Sequence, residues 1–115
     1  MTEKQRIGKI GEDTAAEYLA KKGYKIINRN FLCKTGEIDI ICLKDGCTVF
    51  VEVKTRRNAD YGAASEFVNY NKQIKIKRAA MWYLKNDGVD MRFDVVEVYH
   101  NNGRVYSINH IEDAF

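Results

Sequence analysis

Apolar positions between residues 3 and 22 recur at helical spacing, with Ile7, Ile10, Gly11, Thr14 and Tyr18 on one stripe. Glu17 and Lys21 stand four apart on the outer side, as an i,i+4 ion pair requires. The pattern predicts a helix over 3–22, ended by Gly23. The period then shortens. A strand is expected from about Tyr24 to Asn28, with Phe31 and Leu32 leading towards Gly36. Ile- and Val-rich stretches at 37–43 and 48–55 read as two further strands, joined at the hairpin signal Asp45-Gly46. Residues 56–69 have no clear period and read as a loop. Asn71 is a candidate cap for a second helix over 72–86, with Ile76, Ala80, Tyr83 and Leu84 inward and Asp87-Gly88 ending it. A fourth strand at 92–99 turns through Asn102-Gly103 into a fifth near 105–108.

The expected order is therefore α-β-β-β-α-β-β. The first three strands form a meander, and the second helix carries the chain across to a parallel fourth strand. This predicts an α/β fold with a mixed central sheet flanked by helices, and 115 residues suit a single domain over 1–115. Trp82, Tyr83 and Phe93 are expected in the core.

Composition narrows the class. The chain is 45% hydrophobic and 30% charged, and no apolar run approaches a membrane span of about 20 residues. The first residues do not resemble a signal peptide. A cytoplasmic protein without a membrane partner is the expectation. Cys33, Cys42 and Cys47 form no Cys-x-x-Cys pair, and His100 and His110 lie far from them, so buried or half-buried thiols are favoured over zinc. Both histidines read as structural. The net charge is only +3, but Lys54 to Arg78 holds seven basic residues and two acidic ones, a local +5 against −2 for the remainder. Such a tract fits either a phosphate-facing surface or a solubilising face.

The chemistry lies in Gly36-Glu37-Ile38-Asp39-Ile40-Ile41 and Phe50-Val51-Glu52-Val53-Lys54. Alternation along a strand puts Glu52 and Lys54 on one face and Val51 and Val53 on the other. Asp39, on the preceding strand, can bring a second carboxylate beside Glu52. Two carboxylates together need a cation between them or a proton on one of them. The set suits metal-assisted phosphodiester hydrolysis, with Lys54 orienting water or neutralising charge on the phosphate. The alternative is a plain acid–lysine salt bridge on an edge strand.

The Ile-Asp pair followed by Glu52-Val53-Lys54, on strands two and three after an N-terminal helix, resembles the PD-(D/E)xK, or restriction-endonuclease-like, superfamily. The chain as a whole resembles its YraN-like group of uncharacterised proteins. That likeness is carried by Gly11-Glu12, Ala15, Tyr18-Leu19, Gly23-Tyr24, Arg29-Asn30, Gly36-Glu37-Ile38-Asp39, Phe50 to Arg56, Gly62, Lys72, Arg92 to Val96 and Ala114-Phe115. It implies a restriction-endonuclease-like fold with a four-stranded mixed core sheet. It also implies Mg²⁺ (or Mn²⁺) held by Asp39, Glu52 and the Val53 carbonyl, with Lys54 as the catalytic lysine. Glu12 matches a helix-one glutamate that related Holliday-junction resolvases place near the metal. Ile38 departs from the signature, which has proline there.

Around this core, Lys72, Gln73 and Lys75 at the start of the second helix, together with Arg56 and Arg57, are candidate nucleic-acid contacts. Tyr61 could stack on a base. Glu37 shares a strand face with Asp39 and reads as a strand-end charge rather than a third ligand. The leading reading is a Mg²⁺-dependent endonuclease acting on DNA more readily than RNA, with branched or single-stranded character, and a homodimer where both strands are cut. The alternatives are a non-catalytic nucleic-acid-binding accessory module with the same fold, and an interaction protein in which Lys54 merely pairs the acids.

Overall fold

The computed structural model describes residues 1–57, 69–85 and 89–115. The element order is α1 (Glu3–Lys21), β1 (Lys25–Cys33), β2 (Gly36–Lys44), β3 (Cys47–Arg57), α2 (Tyr70–Leu84), β4 (Met91–Asn101) and β5 (Arg104–Ile111). The α/β class and the α-β-β-β-α-β-β order are as the sequence implied. One mixed sheet has the strand order β1-β2-β3-β4-β5, antiparallel except for the parallel β3–β4 pair. It has five strands, one more than the four-stranded core implied by the resemblance, because β5 pairs with β4 from Val95↔Ile111 to Asn101↔Arg104.

Both hairpin signals act as expected. Asp45 and Gly46, and Asn102 and Gly103, all have positive φ, the conformation a type I′ turn needs. At the start of α1, Thr2 and Gln5 form a reciprocal capping box with bonds of 2.9 and 3.1 Å. The Glu17–Lys21 pair closes at 3.0 Å.

Each helix covers one face of the sheet. On the α1 side Ala15 and Leu19 pack with Ile40, Cys42, Val49, Val51 and Val96. On the α2 side Ile76, Ala79 and Ala80 pack with Ile38, Ile41, Phe50 and Phe93. The thiols of Cys33, Cys42 and Cys47 are free, with Cys42 buried.

Three expectations need correction. The deepest positions of α1 are Gly11, Ala15 and Leu19, while Ile7, Ile10, Thr14 and Tyr18 are only half-buried. The helix crosses the sheet at Gly11, where a Cβ would stand 1.9 Å from Thr55 Oγ1, so the contact line follows the bare glycine. The cap of α2 is Asn69 rather than Asn71, its side chain accepting the Lys72 amide at 2.9 Å, and the helix begins at Tyr70. Trp82 is 54% exposed beside Met81, because it lies off the Ile76–Ala80 stripe that meets the sheet. Tyr61, Gly62 and the Asp87-Gly88 stop signal lie outside the described residues.

Candidate functional site

The last rung of the β2–β3 ladder is Ile40↔Val51. Asp39 and Glu52 are the next residue on each strand, so the two acids meet where backbone pairing stops. The simple alternation of faces fails at the same place. Ile40 packs on the α1 side and Ile38, two residues away, on the α2 side. Asp39 Oδ2 accepts the Val53 N–H at 2.8 Å, a donor that β2 no longer satisfies. Within a strand, the N–H and C=O of one residue project to the same side, so the Val53 carbonyl faces this gap as well. Ile38, where the signature has proline, is a buried core residue and leaves both acids in place.

Glu52 is only 5% exposed. Burial pushes the Asp39 carboxyl up from its ordinary 3.8 to about 8, and the hydrogen bond and charge of Glu52 push the same way. The Val53 amide partly offsets these effects, and Glu12 adds to them. Asp39 is thus pushed towards its protonated form at a place where a cation could bind.

The surrounding cavity, of about 310 Å³, is lined by both helices and both strands: Gly8 and Glu12 of α1, Glu37 and Asp39 of β2, Glu52 to Thr55 of β3, and Lys72, Lys75 and Ile76 of α2. Glu12, Asp39, Glu52, Val53 and Lys54 are therefore brought together as the sequence suggested. Glu12 comes from α1, and its place follows from the seating of neighbouring Gly11 on Thr55. Burial raises its carboxyl above the ordinary range, against the charge of Arg29, whose Nη2 is 3.8 Å away. Glu37 reaches the same cavity but is exposed, as a strand-end charge is.

Two lysines face the acids. Lys72 is in the first turn of α2, where the Asn69 cap fixes the start of the helix, and its ammonium forms an ion pair with Glu52. Burial alone would lower the Lys72 pKa, but the hydrogen bond and charge of Glu52 outweigh it and raise it. Lys54 moves the other way. Burial and then the charge of Lys72 lower it, with Glu52 only partly compensating.

The other basic candidates are placed differently. Lys75 lines the cavity. Gln73 is half-buried in α2 and is not among the lining residues. Arg56 is held by Glu97 of β4 at 3.3 Å, and Glu97 also accepts from Asn109 at 2.9 Å. Arg57 is exposed at the end of β3 and lines a neighbouring hollow with His100. Sequence reasoning missed the role of Lys72 as counter-ion to Glu52, because only the tertiary seating of α2 brings them together. His110 is structural, its Nε2 2.7 Å from Asp94 Oδ2.

Among the described residues, no three His, Cys, Asp or Glu side chains gather closely enough to hold a metal as a set. The donors available are two carboxylates and the Val53 carbonyl. That set fits a hard divalent ion that keeps several waters. It lacks the Cys or His ligands that zinc sites usually combine with any carboxylate. None of the described helices is long and apolar enough to cross a membrane.

Comparison with known proteins places the chain among relatives of its own size. It is 46% identical over 117 residues to a UPF0102 protein of Caldanaerobacter subterraneus, covering 97% of this chain and 96% of that one. It is 45% identical over 116 residues to a UPF0102 protein of Caldicellulosiruptor bescii, covering 96% and 98%. A UPF0102 protein of Flavobacterium johnsoniae is 42% identical over 121 residues, covering 100% and 98%. The model of the uncharacterised protein family UPF0102 matches residues 11–98, from the glycine that seats α1 to the middle of β4. The chain belongs to the uncharacterised protein family UPF0102, the YraN-like proteins.

Proposed function

We propose that the protein is a divalent-metal-dependent nuclease that hydrolyses phosphodiester bonds in DNA, or in RNA, of branched or single-stranded character. The observation that carries this reading is the meeting of Asp39 and Glu52 at the end of the β2–β3 ladder, with Lys54 and Lys72 in the same cavity. Asp39, Glu52 and the Val53 carbonyl would hold Mg²⁺ or Mn²⁺. Such an ion polarises a phosphate oxygen and makes a bound water more acidic.

The chain's own residues divide the remaining work. Lys54, its ammonium disfavoured by burial, orients the attacking water or neutralises charge on the phosphate. Lys72 exchanges its contact with Glu52 for the phosphate of a bound strand, which neutralises charge as the bond breaks. Glu12 adds a third negative group on the α1 side and biases the cavity towards cations. Lys75 extends the positive rim. With no base-reading motif in the chain, substrate shape selects the site of cleavage, and a homodimer suits cleavage of paired strands.

The test compares cleavage of branched, flapped and single-stranded substrates by wild type and Asp39→Ala, with Mg²⁺ and Mn²⁺. Loss of cleavage by at least about 100-fold in the variant is expected. Equal activity in the two proteins removes the carboxylate pair from the mechanism. One observation favours a second reading: Lys72 already supplies Glu52 with a cation. In a non-catalytic nucleic-acid-binding module, that pair would be permanent. Calorimetric titration of Mn²⁺ separates the readings, since the module gives no heat that depends on Asp39.

A further inference from the structure

A glycine in a helix interior costs about 1 kcal/mol relative to alanine, so each one needs a reason. In α1, Gly11 has a steric one: a side chain there would collide with Thr55. Gly8, one turn earlier, has none. A Cβ built on Gly8 meets nothing within 4 Å among the described residues. Gly8 instead lines two cavities at once, the carboxylate pocket and a neighbouring hollow of about 480 Å³, and Thr55 is the other residue they share. The helix surface at Gly8 is therefore bare at the border of the two cavities.

The second hollow has what one nucleotide needs. Ile7 supplies an apolar wall, and Lys4 and Arg57 supply exposed positive charge. Glu3 also lines it, but its charge is answered by Arg6 at 2.7 Å. His100 is 4% exposed, and its Nδ1 accepts the Gly103 amide at 3.1 Å, which leaves the proton of the neutral ring on Nε2. The hollow therefore has this histidine at its edge in addition to its wall and its cations. A base offers an apolar face and edge acceptors, and its phosphate offers the charge for Lys4 or Arg57. The volume is in the range of about 300–1,000 Å³ typical of small-ligand sites.

We infer that this hollow is a nucleotide subsite, holding one unpaired base and its phosphate from the strand whose neighbouring phosphodiester occupies the carboxylate pocket. The inference rests on the nuclease reading for what fills the carboxylate pocket. It adds that the substrate is single-stranded on at least one side of the cut, since a paired base could not turn into the hollow.

The test is made without divalent metal, so that binding is read apart from chemistry. Wild type, Gly8→Ala, Gly8→Phe and Arg57→Ala are titrated into fluorescein-labelled oligo(dT) and oligo(rU) in EDTA and followed by anisotropy. Gly8→Ala, with only a methyl at that border, should weaken binding less than Gly8→Phe does. Gly8→Phe, whose ring would fill the border between the two cavities, should bind about tenfold more weakly, the low end of what one lost base contact costs. Arg57→Ala should weaken binding and flatten its salt dependence. Thermal melts check that each variant folds, and the arm bound more tightly identifies the nucleic acid preferred. Unchanged affinity of folded Gly8→Phe overturns the subsite, as does failure of wild type to bind either single strand. Neither result touches the Asp39-dependent Mn²⁺ titration, so failure here is distinct from failure of the nuclease reading.

Discussion

Asp39 sits in an environment far from that of a free side chain. In the unfolded chain its carboxyl ionises near the ordinary 3.8, and in the fold near 8. Between those values the folded state binds the extra proton, so its contribution to stability is whole below about pH 4 and is lost as pH rises to about 8. Asp39→Asn keeps the shape and removes the ionisation. The variant should match wild type near pH 5 and exceed it near pH 9 by on the order of 2 kcal/mol. Denaturant titrations at the two pH values check this, and parallel pH profiles for both proteins would contradict it. Much of the site was legible at this scale: Asp39, Glu52 and Lys54 announce themselves by strand alternation and by the company of an acid with a lysine. The pairing of Lys72 with Glu52 was not, because strand spacing says nothing of where a helix on the other side of residues 58–68 will place its first turn.

Between elements, the governing contact is that of α1 with β3. Gly11 rests on Thr55 so closely that an added methyl would lie 1.9 Å from Oγ1 and 3.0 Å from Cβ and Cγ2. Gly11→Ala must push the helix outward, and Glu12 with it. The expected loss is about 2 kcal/mol, despite the better helix propensity of alanine. Adding Thr55→Ala should recover part of it, and a double-mutant cycle in denaturant measures the coupling. Additive effects would show that the two residues do not contend for the same space. The existence and type of every element were readable from periodicity and turn residues, but not the line along which α1 meets the sheet. Ile7 and Ile10 look like the natural contacts in a one-dimensional pattern. A bare Cα permits a closer approach than either, and packing followed the approach.

Across the whole molecule, Asp94 ties distant parts of the chain together. Its side chain is completely buried, receives two bonds of 2.8 Å from Arg92 and lies 2.7 Å from His110. It also accepts the Asp113 amide at 2.9 Å, while Arg92 reaches Tyr24 beyond the end of α1 at 2.7 Å. Burial by itself would raise the Asp94 carboxyl, but the bonds from His110, Arg92 and Asp113, with the Arg92 charge, outweigh it and hold it at about 2. A lowered value means stability that is present above about pH 4 and lost as pH falls towards 2. Asp94→Asn should cost roughly 2 kcal/mol at pH 7 and narrow the gap to wild type as acid is added. Circular-dichroism melts across that range test it, and a constant gap would exclude the carboxylate as the cause. Nothing in the spacing of residues 24, 92, 94, 110 and 113 hints at this network, since those separations become contacts only once the sheet exists.

The strand order β1-β2-β3-β4-β5 makes every spatial neighbour a chain neighbour. Three of the four joins are short turns that close locally, so nearly all the entropic cost of long-range closure falls on the parallel β3–β4 join. The acids belong to the part of the chain before that join, and Lys72 to the crossover itself. Assembly of Asp39, Glu52 and Lys54 therefore needs only the β2–β3 hairpin, whereas Lys72 arrives with the slowest topological step.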